Sequence, residues 1–226
     1  MKITLIKKNK ESENIFSFVF EPEKEVNWRA GQYIFLKIPH KNHDDRGEKR
    51  HFTISSAPHE KNIMITTKFD FKNGSSFKKA LINLEEGSTI EASGLSGDFV
   101  IEYLEEKYAF IAGGIGVTPY RSMIFDMESK NSGIDSILLY FSKSKEIIFK
   151  DIFNEIEKRN DWLRVEYINE PVRISREIIK ENVADFGRRK FYISGPFKMV
   201  KAAEDVLSDL KIKKSSIIKD YFPGYK

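Results

Sequence analysis

The chain reads as two successive domains, an antiparallel β-barrel followed by an α/β unit on a parallel sheet. Three observations predict this. Residues 1–102 break into short runs rich in β-branched and aromatic residues, separated by turn dipeptides. From residue 105 onward, continuous apolar runs alternate with segments of helical period, as expected when strands are covered on both faces by crossover helices. Finally, the glycine-rich run Ala112-Gly113-Gly114-Ile115-Gly116-Val117-Thr118-Pro119 follows the first of those apolar runs and opens the first helix.

The barrel strands are expected at 4–6, 15–20, 33–38, 51–55, 63–68 and 89–93. Glu21-Pro22, Ala30-Gly31, Lys72-Asn73-Gly74 and Glu86-Gly87 supply the turns between them. Strands at this spacing predict a Greek-key-type barrel. One helix interrupts it: residues 77–84 are apolar at 77, 80, 81 and 84, and Ser76 is placed to cap them. The loop 40–49 is charged and expected to be exposed. Gly94-Leu95-Ser96-Gly97-Asp98-Phe99 reads as a tight turn before a last strand.

In the second part, strands are expected at 108–112, 137–141, 163–168, 191–194 and 217–218, with helices at 119–129, 149–159, 175–182 and 197–210. This alternation predicts a Rossmann-like α/β domain with a parallel sheet. The boundary falls near 103–107, giving domains 1–104 and 105–226.

Composition narrows the chemistry. The 226 residues carry 38 Lys and Arg against 34 Asp and Glu, a net charge of +4. That excess is too small for a nucleic-acid tail, though it suits an acidic protein partner. With no cysteine, the chain holds no disulfide, thiolate, zinc–sulfur site or iron–sulfur cluster. His40, His43, His51 and His59 cluster, with His40 and His43 flanking the charged loop; they read as solvated side chains and no metal site is expected. The start Met1-Lys2-Ile3-Thr4-Leu5-Ile6-Lys7-Lys8 alternates too soon for a secretory segment. No apolar run is long enough to span a membrane, so a cytoplasmic location is expected.

Four stretches carry chemistry. In Arg50-His51-Phe52-Thr53-Ile54-Ser55-Ser56, residues i and i+2 share a strand face, so Arg50 and Phe52 can line one ligand, guanidinium on phosphate and ring on a flat heterocycle. An amphipathic strand with a surface Arg and a core Phe explains the same residues. In 112–119 the glycines permit a tight turn and close approach of a phosphate, Thr118 is placed at the N-cap, and Pro119 suits the first helical position. Gly74-Ser75-Ser76 offers amides and hydroxyls to a second phosphate, or simply caps a helix. Ser194-Gly195-Pro196 ends a late parallel strand, where ligands bind. The tail Asp220-Tyr221-Phe222-Pro223-Gly224-Tyr225-Lys226 either packs on the core or lies over a planar cofactor.

Together these pieces resemble the ferredoxin–NADP reductase superfamily over nearly the whole chain, in order and spacing. Arg50-x-Phe52-Thr53-x-x-Ser56 is similar to the family's Arg-x-Tyr/Phe-Ser/Thr-x-x-Ser flavin motif. Gly113-Gly114-Ile115-Gly116-Val117-Thr118-Pro119 is similar to its pyridine-nucleotide motif, and Ser194-Gly195-Pro196 to its Cys/Ser-Gly-Pro turn. Asp220-x-Phe222-x-Gly224-Tyr225 looks like the ending of many short bacterial and archaeal members.

The resemblance implies FAD in the barrel, NADPH or NADH on the α/β domain, and hydride transfer between them. It implies that Arg50 binds the FAD pyrophosphate, that Phe52 packs on the isoalloxazine with its neighbour His51 in the same motif, and that Thr53 hydrogen-bonds near flavin N5, with Ser56 closing the motif. Lys68, Gly74, Ser75 and Ser76 would hold phosphates. Gly113, Gly114, Gly116, Thr118, Pro119, Gly195 and Pro196 would face the nicotinamide nucleotide. Ser194 stands where many members carry Cys, and Asp220 where many carry Glu; with Thr53 and Phe222 they form the implied catalytic set. Phe222 would cover the flavin and yield to nicotinamide. Lys143 and Lys145, after the second strand of the α/β domain, lean toward NADPH, with solvated lysines as the alternative. The implied activity is that of an NAD(P)H-dependent flavin oxidoreductase delivering electrons to a separate acceptor such as ferredoxin, flavodoxin or a partner subunit. A ferric or free-flavin reductase and a non-catalytic binding subunit are the alternatives.

Overall fold

The computed structural model describes residues 1–41, 43–103, 105–143 and 146–222, the last of these without its side chain. Two compact units divide the chain. The first is Met1–Val100 with Arg121–Asp126; the second is Ile101–Tyr120 with the described residues from Met127 onward.

Unit 1 holds β1 (Lys2–Ser12), β2 (Ile15–Pro22), β3 (Tyr33–Lys37), β4 (Lys49–Thr53), β5 (Ile63–Lys68), helix α1 (Ser76–Ile82) and β6 (Thr89–Ser96). All neighbours are antiparallel, in the order β4-β3-β6-β1-β2-β5. The return of β6 between β1 and β3 is a Greek-key-type connection. The two edge strands meet just beyond β4, at the Ile54–Ile65 bridge and the Ser55 N–H to Met64 carbonyl bond of 2.7 Å. That contact closes the sheet into a barrel. Inward residues alternate along the strands, as Ile3 and Leu5 in β1 and Ile34 and Leu36 in β3, all fully buried.

Two expectations change here. β1 runs to Ser12, far beyond 4–6, because register shifts at Leu5/Lys7 and Lys10/Ser12 break the period that would reveal it. Gly94-Leu95-Ser96 continue β6 where a turn was expected, and residues 98–103 form no strand: the buried Phe99 instead passes so close to Gly31 that a Cβ there would overlap the Phe99 carbonyl.

Unit 2 holds β7 (Lys107–Gly113), α2 (Thr118–Ser129), β8 (Ser136–Ser142), α3 (Lys150–Arg159), β9 (Leu163–Asn169), α4 (Arg176–Asn182), β10 (Arg189–Pro196), α5 (Phe197–Asp209) and β11 (Ile217–Phe222), with the middle of α2 counted in unit 1. The five strands are parallel in the order β11-β10-β7-β8-β9. Residues 108–112 of β7 are buried throughout, as a strand covered on both faces must be. α5 seats Val200, Ala203 and Leu207 on the sheet at helical spacing.

Candidate functional site

β4 alternates as its sequence predicts. Arg50 and Phe52 are half-buried on one face, while Lys49 and His51 are exposed on the other. His51 is therefore separated from its neighbours and packs on Tyr33 and Phe35, ring centroids 5.3 and 5.7 Å away. Phe77, the first apolar residue of α1 and fully buried, supports both ligand candidates. The Phe52 ring stacks on it at 5.8 Å, and the Arg50 guanidinium lies 5.7 Å from its centre. Arg50 Nη1 donates to the carbonyls of Arg46 and Lys49, whereas Nη2 is buried without a hydrogen-bond partner, 3.8 Å from Asp44 Oδ1.

The loop 40–49 is exposed at Lys41, His43 and Asp45 but anchored at Asp44. Asp44 Oδ2 accepts the Ser76 N–H and the Asp44 N–H donates to Ser76 Oγ, both at 2.9 Å. The Arg46 hydrogen bonds, aided by the Ser76 N–H, hold the Asp44 carboxyl well below the usual range. The α1 cap is Ser75, one residue earlier than expected: its buried Oγ accepts the Lys78 N–H at 3.2 Å. Ser76 is freed to face the loop. Gly74 is required by the preceding turn, since a Cβ would strike the Asp70 carbonyl.

Thr53 is buried beside Phe52. Ser56 Oγ donates to the Asn62 carbonyl and accepts the Met64 N–H, so its hydroxyl is spent on barrel closure. Lys68 is exposed, and its carbonyl accepts the ammonium of Lys78 at 2.7 Å. Lys78 itself is 8% exposed, and its Nζ also bonds Thr67 Oγ1. Burial pulls its pKa down to about 8. No sequence motif singled out Lys78, Phe77 or Asp44; the one signal was that Lys78 borders the apolar stripe of α1.

In unit 2 the glycine run forms a 3-10 turn, Gly114–Val117, that passes directly into α2. Thr118 is already helical, and its hydroxyl donates to the Ile115 carbonyl at 3.1 Å. It therefore does not cap the helix by accepting an N–H, because the turn has moved the first free amides back toward Gly114. Gly116 is needed by β10: a Cβ would overlap the Ser194 carbonyl and lie 2.7 Å from Gly195 Cα. Gly113 packs as closely on Met199 and Pro196. Gly114 differs, with φ +52° and nothing within 4 Å of a Cβ position, so its approach is open. Pro119 is buried.

Ser194, fully buried at the carboxyl end of β10, has an Oγ without a hydrogen-bond partner. Asp220 is its register partner on β11, as Phe222 is that of Pro196. Burial raises the Tyr120 hydroxyl well above its usual range, and the charge of Asp220 adds to this. Lys143 is exposed and pairs with Glu170 at 3.2 Å. Lys145, the Phe222 side chain and the tail 223–226 lie outside the described residues. Among the described residues, no three His, Asp or Glu side chains gather as metal ligands. No described helix is long and apolar enough to cross a membrane.

Near the flavin motif, Arg121 of α2 is also buried. It donates to the Ser55 carbonyl at 2.8 Å and bidentately to Glu60 at 2.8 and 3.0 Å, while Ser122 Oγ donates to the Ser56 carbonyl at 2.6 Å. Burial raises the Glu60 carboxyl, but Arg121 outweighs it and leaves the net shift downward.

Residues 2–101 match the family model of the oxidoreductase FAD-binding domain, and 110–205 that of the oxidoreductase NAD-binding domain. The chain belongs to the ferredoxin–NADP reductase family. Its two parts carry that family's FAD-binding and NAD-binding domains. Arg50 Nη2, buried and without a hydrogen bond, the half-buried Phe52 ring, the open Gly114 turn and the Ser194 Oγ without a hydrogen-bond partner fit those two ligands. Among its relatives, the chain is 26% identical to flavohemoprotein A of Dictyostelium discoideum, covering 96% of this chain and 58% of the relative. It is 24% identical to the ferredoxin reductase component of 3-ketosteroid-9-alpha-monooxygenase of Mycobacterium tuberculosis, covering 84% and 54%. The chain thus spans less than two thirds of the length of these curated relatives. Of solved structures, the FAD/NAD-binding domain of nitric oxide dioxygenase from Vibrio cholerae has the same fold, with TM-score 0.84, 20% identity and 98% of both chains covered. Ferredoxin–NADP+ reductase from Plasmodium falciparum shares it at TM-score 0.82 and 16% identity, covering 98% of this chain and 95% of that one.

Proposed function

We propose that this reductase takes electrons from a nicotinamide nucleotide and passes them through FAD to a separate protein acceptor of the ferredoxin or flavodoxin kind. The observation that carries the flavin assignment is the cluster of Arg50, Phe52 and Phe77, which sets a guanidinium and an aromatic ring side by side on one buried support. Arg50 holds the pyrophosphate, with Ser76 beside it. Phe52 stacks on the flavin, and Thr53 holds its polar edge. Bound FAD supplies the chemistry, accepting electrons in pairs and releasing them singly. On unit 2, Gly114 lets the nucleotide approach the backbone, and Ser194 offers its hydroxyl at the strand end. The absence of cysteine and the similarity to a ferredoxin reductase component support an acceptor outside these residues.

The test is anaerobic reduction of the FAD-loaded protein by NADPH and NADH, followed by turnover with ferredoxin, flavodoxin, a ferric chelate and free flavin. A protein acceptor should be used with a kcat/KM at least about tenfold above the small acceptors, a discrimination of about 1.4 kcal/mol. Equal use of the ferric chelate or free flavin would replace this reading with that of a small-acceptor reductase. Failure of both nucleotides to reduce the flavin would leave a binding subunit.

A further inference from the structure

Charges inside proteins are paired with opposite charges, because removing an ion from water is costly. Lys78 breaks this pattern. Its residue is 8% exposed, and no carboxylate lies within ion-pair distance of it among the described residues. The ammonium is met by two neutral oxygens, Thr67 Oγ1 and the Lys68 carbonyl. Two rings complete its surroundings, Phe69 at 5.1 Å and Phe52 at 5.8 Å. Hydrogen bonds of this kind orient an ammonium without neutralising it. A cation held so at a cost in stability is explained if negative charge arrives close by during function.

We propose that Lys78 is the counter-charge of the flavin site, acting through the Phe52 ring to favour the reduced state of bound FAD. This rests on the reading that FAD lies against Phe52. Reduction by a nicotinamide nucleotide moves two electrons and one proton together from nucleotide to flavin. The flavin site therefore gains one negative charge, and no proton leaves Lys78. The ammonium is too enclosed to meet the ligand directly, so its influence is electrostatic and Lys78 is a positioning charge, not a catalytic residue.

The surrounding charges do not duplicate this role. Arg50, on β4, is engaged by Asp44 and by the carbonyls of Arg46 and Lys49, so its charge is already paired. Lys68 of β5 and Lys79 of α1 are exposed, where solvent screens them. His51 lies on the opposite face of β4.

The experiment measures the midpoint potential of the FAD-loaded full chain against pH, for wild type, Lys78→Met and Lys78→Arg. Near pH 7 the Met variant should favour reduced flavin about tenfold less than wild type, a potential lower by about 30 mV. The Arg variant should recover most of this. The wild-type profile should steepen from about pH 7.5 to about pH 9.5 as the ammonium titrates, and the gap to the Met variant should close there. Comparison with that variant cancels whatever Lys68 and Lys79 contribute. Equal potentials for wild type and the Met variant would overturn the proposal. Should the Met variant fail to hold FAD, a wild-type profile without the steepening overturns it alone. Phe52→Ala separates the two readings: unchanged FAD affinity and flavin absorbance would remove the flavin from Phe52, whereas an altered spectrum beside an unshifted Lys78→Met potential would remove only the role of Lys78.

Discussion

Arg50 is the residue on which the flavin assignment can be tested most directly. Its Nη2 is buried and lacks a hydrogen-bond partner, although Nη1 has two. A pyrophosphate oxygen would complete it. Arg50→Ala should weaken FAD retention by about 1.5–3 kcal/mol, the range of a hydrogen bond to a charged group, and dialysis of the variant against buffer checks it. Full occupancy after dialysis would place the pyrophosphate elsewhere. Lys78 gives a second prediction, on stability. Burial lowers its folded pKa to about 8 from the 10.5 of an exposed lysine. Between those values the unfolded chain binds more protons than the folded one, so stability rises with pH across that window. Below about pH 8 the burial penalty is fully felt, on the order of 3 kcal/mol. Lys78→Met should remove the rise and match or exceed wild type at pH 7 in denaturant melts. A variant less stable than wild type at pH 7, with the same pH dependence, would mean that the contacts of Lys78 outweigh its desolvation.

At the scale of elements, the turn between β7 and α2 separates what a glycine does for the fold from what it does for a ligand. Gly116 faces the β10 backbone at distances no side chain tolerates, while Gly114 faces open space. Gly116→Ala should therefore lower the melting temperature, by an overpacking cost of about 1–3 kcal/mol. Gly114→Ala should fold, at a cost of about 1–2 kcal/mol for its positive φ, and raise KM for the nucleotide. Equal thermal losses and unchanged KM in both would show that neither glycine meets the ligand. This division was not legible in the sequence, where both glycines belong to one motif. The motif itself was legible, as were the strands of the parallel sheet, because continuous apolar runs and glycines are local signals. So was the shared face of Arg50 and Phe52, which needs only the two-residue period of a strand. What escaped were partners distant along the chain. Arg121 meets Ser55 and Glu60 from 66 and 61 residues away, and Asp44 meets Ser76 from 32. The identity of the α1 cap, Ser75 over Ser76, turned on which of two adjacent hydroxyls the tertiary structure left free.

For the whole molecule, charge is what would guide the proposed acceptor. The chain carries a formal +4, and its cations include many exposed lysines, such as Lys41, Lys143 and Lys198. An acidic electron carrier is steered toward such a surface before any contact forms. Steering acts over the Debye length, about 30 Å at 0.01 M salt and about 8 Å at 0.15 M. The kcat/KM for an acidic ferredoxin or flavodoxin should therefore fall at least about tenfold between those two concentrations, within the range that steering contributes to on-rates. With an uncharged quinone as acceptor, diffusion is not guided by the field, and the same change of salt should alter kcat/KM less than about twofold. Running both series on one preparation separates association from damage to the enzyme, since loss of FAD at high salt would depress the two acceptors together. A ferredoxin rate flat in salt, beside a normal quinone rate, would show that the positive charge does not guide the carrier. The acceptor site would then rest on apolar contacts alone.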